Sequence, residues 1–229
     1  MNHTVAFQSD LFTTTRKVFP DSQIWNDWLS SQLRQPSPDQ SAPLAIDLFA
    51  GCGGLSLGFE CAGIRTVGYE MKPHIVETYN SNLAGNCSQF TLKLGDPPCA
   101  KGETADILMG GPPCQPFSQI GYQRGHRDHR DGFPIFLDAV NRLRPRLAII
   151  ENVRGLLFRN KDYLRATCKE LERFGYVVDA RLIDTSLYGV PQKRQRAVII
   201  ASKTGWAWPE PVIDEPVTVG VPLTWNPPA

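Results

Sequence analysis

The stretch Gly110-Gly111-Pro112-Pro113-Cys114-Gln115-Pro116-Phe117-Ser118 sets one cysteine in a frame of three prolines and two glycines. Such a frame builds a fixed, exposed loop rather than a packing site, so the thiol is expected to point into a crevice. A free thiol with a pKa near ~8.5 is only slightly ionised at neutral pH, so a nucleophilic Cys114 requires an electropositive setting. Farther along, Glu151-Asn152-Val153 ends an apolar, strand-like run. Its carboxyl group would reach the same edge and could serve as a general acid if its pKa were raised. A third stretch, Tyr188 to Arg196, enters another strand-like run with Arg194 and Arg196 alternating to one face.

A second constellation lies nearer the start. Ala45-Ile46-Asp47-Leu48-Phe49-Ala50-Gly51-Cys52-Gly53-Gly54-Leu55-Ser56 reads as a strand running into a glycine turn and then a helix. Glycine there lets the backbone approach a ligand and take positive φ. The next strand ends in Tyr69-Glu70, an acid about 20 residues beyond the turn, where doubly wound folds hydrogen-bond a ribose diol. Gly95-Asp96 supplies another carboxylate at the same edge. The sequence has no G-x-x-x-x-G-K-[ST], so these residues describe a nucleoside site without a phosphate grip.

The elements that must position these groups are short apolar runs of strand length: Leu44–Phe49, Thr66–Tyr69, Phe90–Leu94, Ile107–Met109, Leu147–Ile150, Val177–Ile183 and Ala197–Ala201. Helix-period segments separate several of them, such as Tyr163–Phe174 with Leu164, Cys168, Leu171 and Phe174 on one stripe. Alternating strand and helix imply an α/β, doubly wound, mostly parallel sheet. The last two strands are joined too briefly for a crossover and should pair antiparallel. Residues 1–43 read as an N-terminal extension with a short helix expected over 24–29, residues 44–202 as the domain that carries both constellations, and residues 203–229 as a proline-rich tail.

In order along the chain, DLFAGCGGLS, a strand ending in Glu70, GD at 95–96, GGPPCQPFS, ENV and QKRQR resemble the DNA (cytosine-5) methyltransferase family. The resemblance covers residues 44 to 202 and implies a seven-stranded sheet of the S-adenosylmethionine-dependent methyltransferase type with an antiparallel last strand. It implies that Phe49, Gly51, Cys52, Gly53, Gly54, Glu70, Met71, Asp96, Pro97 and Pro113 hold S-adenosylmethionine, with Glu70 on the ribose and Asp96 on the adenine amino group. Cys114 would then be the nucleophile, Glu151 the partner of the target base, and Arg194 and Arg196 the residues ordering that pocket. The base must leave the duplex to be reached, and Gln115–Asp131, with Arg124, His126, Arg127, His129 and Arg130, resembles the family's loop that closes over DNA.

The remaining composition narrows the class. No two of the six cysteines are spaced as C-x-x-C and the four histidines lack ligand spacing, so no metal site is expected. In a reducing compartment the cysteines should be free thiols. No membrane span or secretory signal is visible, which makes the cytoplasm the expected location. Net charge is +1, which argues against strong stand-alone binding of nucleic acid. The family's target-recognition region and its Gly-Asn-(Ser/Ala) block are not found in this sequence. The expected role is therefore the catalytic subunit of a split restriction-modification methyltransferase, with double-stranded DNA as substrate and a second polypeptide as partner. The alternatives are a truncated non-catalytic fragment and an RNA-directed relative acting on tRNA.

Overall fold

The computed structural model describes residues 39–95, 105–113, 131–188, 190 and 192–211. The strands are β1 (Leu44–Leu48), β2 (Arg65–Glu70), β3 (Asn86–Gln89), β4 (Ile107–Gly110), β5 (Leu147–Val153), β6 (Val177–Asp184) and β7 (Gln195–Ser202). The helices are α1 (Gly54–Cys61), α2 (Pro73–Asn82), α3 (Phe133–Leu143), α4 (Gly155–Phe158) and α5 (Lys161–Arg173), and a 3-10 turn spans Thr185–Tyr188. One sheet in the order β3-β2-β1-β4-β5-β7-β6 contains all seven strands. The first five pair in parallel, and β7 lies antiparallel between β5 and β6.

This topology brings the ends of β1 to β5 and the start of β7 to one edge. The central strands are apolar on both faces because both are covered, as parallel sheets require. On one face Ile46, Leu48, Leu108, Ala148, Ile150 and Ile199 pack against Phe133, Phe136 and Val140 of α3, Leu156 of α4 and Leu171 of α5. Each large side chain buried this way contributes about 1.5–3 kcal/mol. On the other, Ala45, Met109, Ile149 and Ile200 meet Leu55 and Phe59 of α1 and Trp208.

The expected stripe on α5 holds. Leu171 is buried, and Leu164, Cys168 and Phe174 pack beside it. Asp162 in its first turn and Arg173 in its last complement the helix dipole. The third expected strand is corrected. It falls at Asn86–Gln89 rather than Phe90–Leu94. As an edge strand it buries only Cys87, so its sequence carries almost no apolar signal. Phe90 instead donates its N–H to the Glu70 carbonyl at 2.9 Å and sets its ring edge-on to Tyr69. Beyond β7, residues 203–211 lie back on the sheet, where Trp208 Nε1 donates to Asp179 and the Arg181 guanidinium stacks on the indole. The expected helix at 24–29 lies outside the described residues.

Candidate active site

The glycine turn follows directly from β1. Phe49, Gly51 and Gly53 all have positive φ, at 59°, 55° and 86°. For Phe49 this is a state uncommon outside glycine, of the kind that clusters at ligand clamps. At Gly53 any Cβ would stand 2.7 Å from the Tyr79 ring, so both conformation and space require glycine. Glu70, at the end of β2, closes the turn. Its Oε2 accepts from Gly51 N at 3.2 Å and its Oε1 from Met71 N and Lys72 N, each at 3.0 Å. Met71 and Cys52 are exposed at the mouth of this turn. An ionised carboxylate offers about four acceptor positions, so the Glu70 carboxylate retains capacity for a hydroxyl donor.

Behind the turn runs a buried polar chain. Ser56 Oγ donates to Asp47 Oδ2 at 2.8 Å, Thr66 Oγ1 lies 3.1 Å from the Tyr79 hydroxyl, and Glu60 accepts from Thr66 Oγ1, Ala84 N and Gly85 N. Asp47 is 1% exposed, and its Oδ1 has no partner. Burial pushes its carboxyl group up to about 7 and the Tyr79 hydroxyl up to about 12. The open space is at the turn itself, where a Cβ at Gly51 or Gly54 would meet nothing within 4 Å, and with the remaining acceptor capacity of Glu70 this fits a polar ligand with hydroxyl groups. Asp47 was not among the expected site residues. Its signal was an acid inside an otherwise apolar strand.

The second half of the edge is made by β4, β5 and β7. Arg196 Nε donates to Glu151 Oε1 at 2.8 Å, with the two side chains 24% and 30% exposed. The other carboxylate oxygen faces Gly111, where a Cβ would stand 3.5 Å from Oε2. Asn152 Nδ2 donates to the Pro112 carbonyl at 2.9 Å in a buried bond. Gly132 N donates to the Pro113 carbonyl at 3.0 Å, and a Cβ at Gly132 would meet Pro113 Cδ at 2.5 Å and Phe49 Cζ at 3.0 Å. Asp131, one residue before the Gly132 cap of α3, accepts from Phe133 N at 3.1 Å and from the Tyr163 hydroxyl at 2.6 Å. The Pro112–Pro113 segment is thus pinned from β5 and from the head of α3. Asn152, Asp131 and Gly132 act as braces that their residue types alone did not announce.

Of the expected site residues, Phe49, Gly51, Cys52, Gly53, Gly54, Glu70 and Met71 gather at the β1–β2 end, and Pro113, Glu151 and Arg196 at the β4–β5–β7 end. Arg194 is exposed one residue before β7, with its carbonyl accepting from Thr185 N. Cys114, Asp96 and Pro97, and the basic residues Arg124, His126, Arg127, His129 and Arg130, lie outside the described residues. Cys52, Cys61, Cys87 and Cys168 are free thiols, and burial pushes those of Cys87 and Cys168 up to about 11, which keeps them unreactive at neutral pH. Among the described residues, no group of His, Cys, Asp and Glu could hold a metal ion, and no helix is long and apolar enough to cross a membrane.

The comparisons with known proteins agree with this architecture. The Type II methyltransferase M.AplI of Arthrospira platensis is 50% identical over 184 residues, covering 80% of this chain and 52% of its own length. M.NgoFVII of Neisseria gonorrhoeae, also a Type II methyltransferase, is 34% identical over 82% of this chain and 52% of its own length. The chain therefore spans about half the length of the curated relatives it matches. Among solved structures, a prophage-encoded DNA modification methyltransferase of E. coli superposes with a TM-score of 0.57 at 28% identity, covering 71% of this chain and 47% of that one. Spodoptera frugiperda DNMT2 superposes with a TM-score of 0.59 at 23% identity over 77% of this chain and 55% of that one, a likeness of fold. Residues 44–219 match the family model of the C-5 cytosine-specific DNA methylase, and the chain belongs to that family.

Proposed function

We propose that this chain carries the catalytic half of a DNA methyltransferase that moves a methyl group from S-adenosylmethionine to C5 of a flipped-out cytosine. The observation that carries the reading is the Glu151–Arg196 pair standing against Gly111, on the segment that leads to Cys114. The glycine turn and Glu70 would hold the cofactor, with Glu70 accepting from the ribose and Asp47 fixing the head of α1 from behind through Ser56; Asp96, Pro97 and Pro113 would complete the pocket. When bound, S-adenosylmethionine supplies an electrophilic methyl group.

The chain's own residues would make the poor nucleophile C5 reactive. The Cys114 thiolate adds to C6, and the electron pair displaced from the C5–C6 double bond is drawn toward N3, which Glu151 hydrogen-bonds or protonates. Arg196 holds Glu151 in place through Nε, and Arg194 adds positive charge at the pocket rim. Once C5 has been alkylated, loss of its proton restores the double bond and expels the thiolate. Extruding the base costs a few kcal/mol, which contacts to the DNA must offset.

Those contacts would come in part from Arg124, His126, Arg127, His129 and Arg130. Sequence is read from base edges and the backbone is gripped by clustered cations, whereas these 229 residues carry a net charge of +1. We place the target-recognition region outside them, on a second polypeptide. The match to about half of the relatives' own length supports a further region outside these residues. The Type II methyltransferases among the relatives support a restriction-modification setting, and with it a cytoplasmic one.

The test is tritiated methyl incorporation into mixed-sequence duplex DNA, followed by bisulfite mapping. It is run with the chain alone and with the polypeptide encoded beside it. Cys114→Ala should abolish transfer and leave cofactor binding intact. Residual transfer above about one per cent of the unmodified protein, well over what loss of a covalent nucleophile allows, would remove Cys114 from this role. Robust methylation at one defined sequence by the chain alone would overturn the two-polypeptide division.

A further inference from the structure

In the stretch Gln192-Lys193-Arg194-Gln195-Arg196, the second glutamine has no part in the chemistry proposed above, yet it sits at a junction of three strand ends. Gln195 opens β7 opposite Asp184 at the end of β6, and its neighbour Arg196 lies opposite Val153 at the end of β5. The Gln195 side chain is satisfied at both ends. Its Oε1 accepts from Arg154 Nη1 at 3.0 Å, and its Nε2 donates to Asp184 Oδ2 at 3.1 Å. Both partners are themselves held. Asp184 Oδ1 accepts from Ser186 N and Ser186 Oγ, and the Arg154 guanidinium lies 5.1 Å from the Phe158 ring centroid.

The same residue carries the catalytic-edge arginine on its backbone. Arg196 Nη1 donates to the Gln195 carbonyl at 2.8 Å while Arg196 Nε reaches Glu151 at 2.8 Å. Two hydrogen bonds from one guanidinium, one to its own chain and one to β5, leave it little rotational freedom as long as the Gln195 peptide is fixed. We propose that Gln195 is a positioning residue for the Glu151–Arg196 pair, its amide clamped between Arg154 and Asp184 so that the carbonyl supporting Arg196 cannot shift. An amide suits this place because it must accept from a cation on one side and donate to a carboxylate on the other. Glutamate would satisfy Arg154 but face Asp184 with like charge. The functional consequence rests on the base-pocket reading of Glu151; the geometric claim does not.

A charge-swap cycle tests both. Gln195→Glu sets two carboxylates against each other. Asp184→Asn, with its oxygen kept on Ser186, sets two amide donors against each other. Combined, the two substitutions restore a donor at 184 facing an acceptor at 195, with Arg154 and Ser186 still served. The first readout is the Arg196 Nε–Hε resonance, assigned by its loss in Arg196→Lys. Its hydrogen exchange should accelerate about tenfold or more in each single variant, the loss expected for a hydrogen bond to a charged group, and return in the double variant. Gln195→Met, of similar length but without either bond, should resemble the single variants and remain folded by thermal melting. Unchanged exchange in all variants, or no recovery in the double, overturns the proposal.

The second readout is methyl transfer by the chain with its partner polypeptide. Here kcat should fall by about 10- to 100-fold, as misplacement of a reacting group does, with KM for DNA unchanged and activity recovered in the double variant. If the unmodified protein transfers no methyl group at all, the base-pocket reading fails while the Arg196 resonance still decides the positioning.

Discussion

At the β1–β2 end of the sheet, the groups at the edge belong to a backbone turn bent through positive φ at Phe49, Gly51 and Gly53, with the Gly51 N–H tied down by Glu70. At the β4–β5–β7 end they are side chains, Glu151 and Arg196, brought from strands 45 residues apart in sequence, beside a Pro112–Pro113 segment pinned by Asn152 and the head of α3. The first construction suits a ligand that must be cradled by shape. The second suits a reacting base, where charge must stand at a chosen atom. The difference also places the costs: the β1–β2 end keeps a buried acid with an unmet oxygen, whereas the β4–β5–β7 end keeps a paired, partly solvated one.

The sharpest way to separate the two ends is Glu151→Gln. A general acid typically contributes about 10²- to 10⁴-fold to rate, so methyl transfer should fall by that much, with cofactor affinity unchanged by calorimetry. Weakened cofactor binding would show that the ends are not independent.

Asp47→Asn probes the other end through stability. The Asp47 carboxyl group lies at about 7 in the fold against an ordinary 3.8, so the folded state favours its protonated form. Its contribution is present below the ordinary value and lost as pH rises toward and through 7. By proton linkage that loss is of the order of about 4 kcal/mol. Urea denaturation from pH 4 to 8 should show the difference between the two proteins changing across this window and flat above it. A difference constant with pH would mean that Asp47 is ionised throughout.

Glu70→Ala should weaken S-adenosylmethionine binding by roughly 1–3 kcal/mol, the value of a charged hydrogen-bond acceptor. An unchanged dissociation constant would mean that the ribose is held elsewhere. A smaller effect is expected for Asn152→Ala, which leaves the buried Pro112 carbonyl without its donor and should cost about 1–2 kcal/mol of stability. Melting measures that cost, and an unchanged cofactor affinity would keep this brace with the base end.

The legibility of the two ends in the sequence follows from the same contrast. A glycine turn between an apolar strand and a helix is a local device, written in consecutive residues, and the positive φ at Gly51 and Gly53 was implied by their identity. The parallel strands β1, β4 and β5 were readable because both of their faces are buried. β3 was not, because an edge strand with one buried residue leaves no run to detect. Cys114 and Glu151 stood out by the company they keep, proline frame and strand end, but no local pattern says which arginine meets Glu151.

By itself the sequence determined the α/β alternation, the order of its strands along the chain, the antiparallel close and the residue types at each end of the carboxyl edge, since each depends on neighbours within a few positions. Tertiary structure alone decided that β7 enters between β5 and β6, which sets Arg196 rather than Arg194 against Glu151 and gives Gln195 its two partners. It also decided that Asp47 is sealed off with an unmet oxygen. Register between distant strands is fixed by the packing of whole faces rather than by any local signal, and burial of a single polar atom depends on everything packed around it.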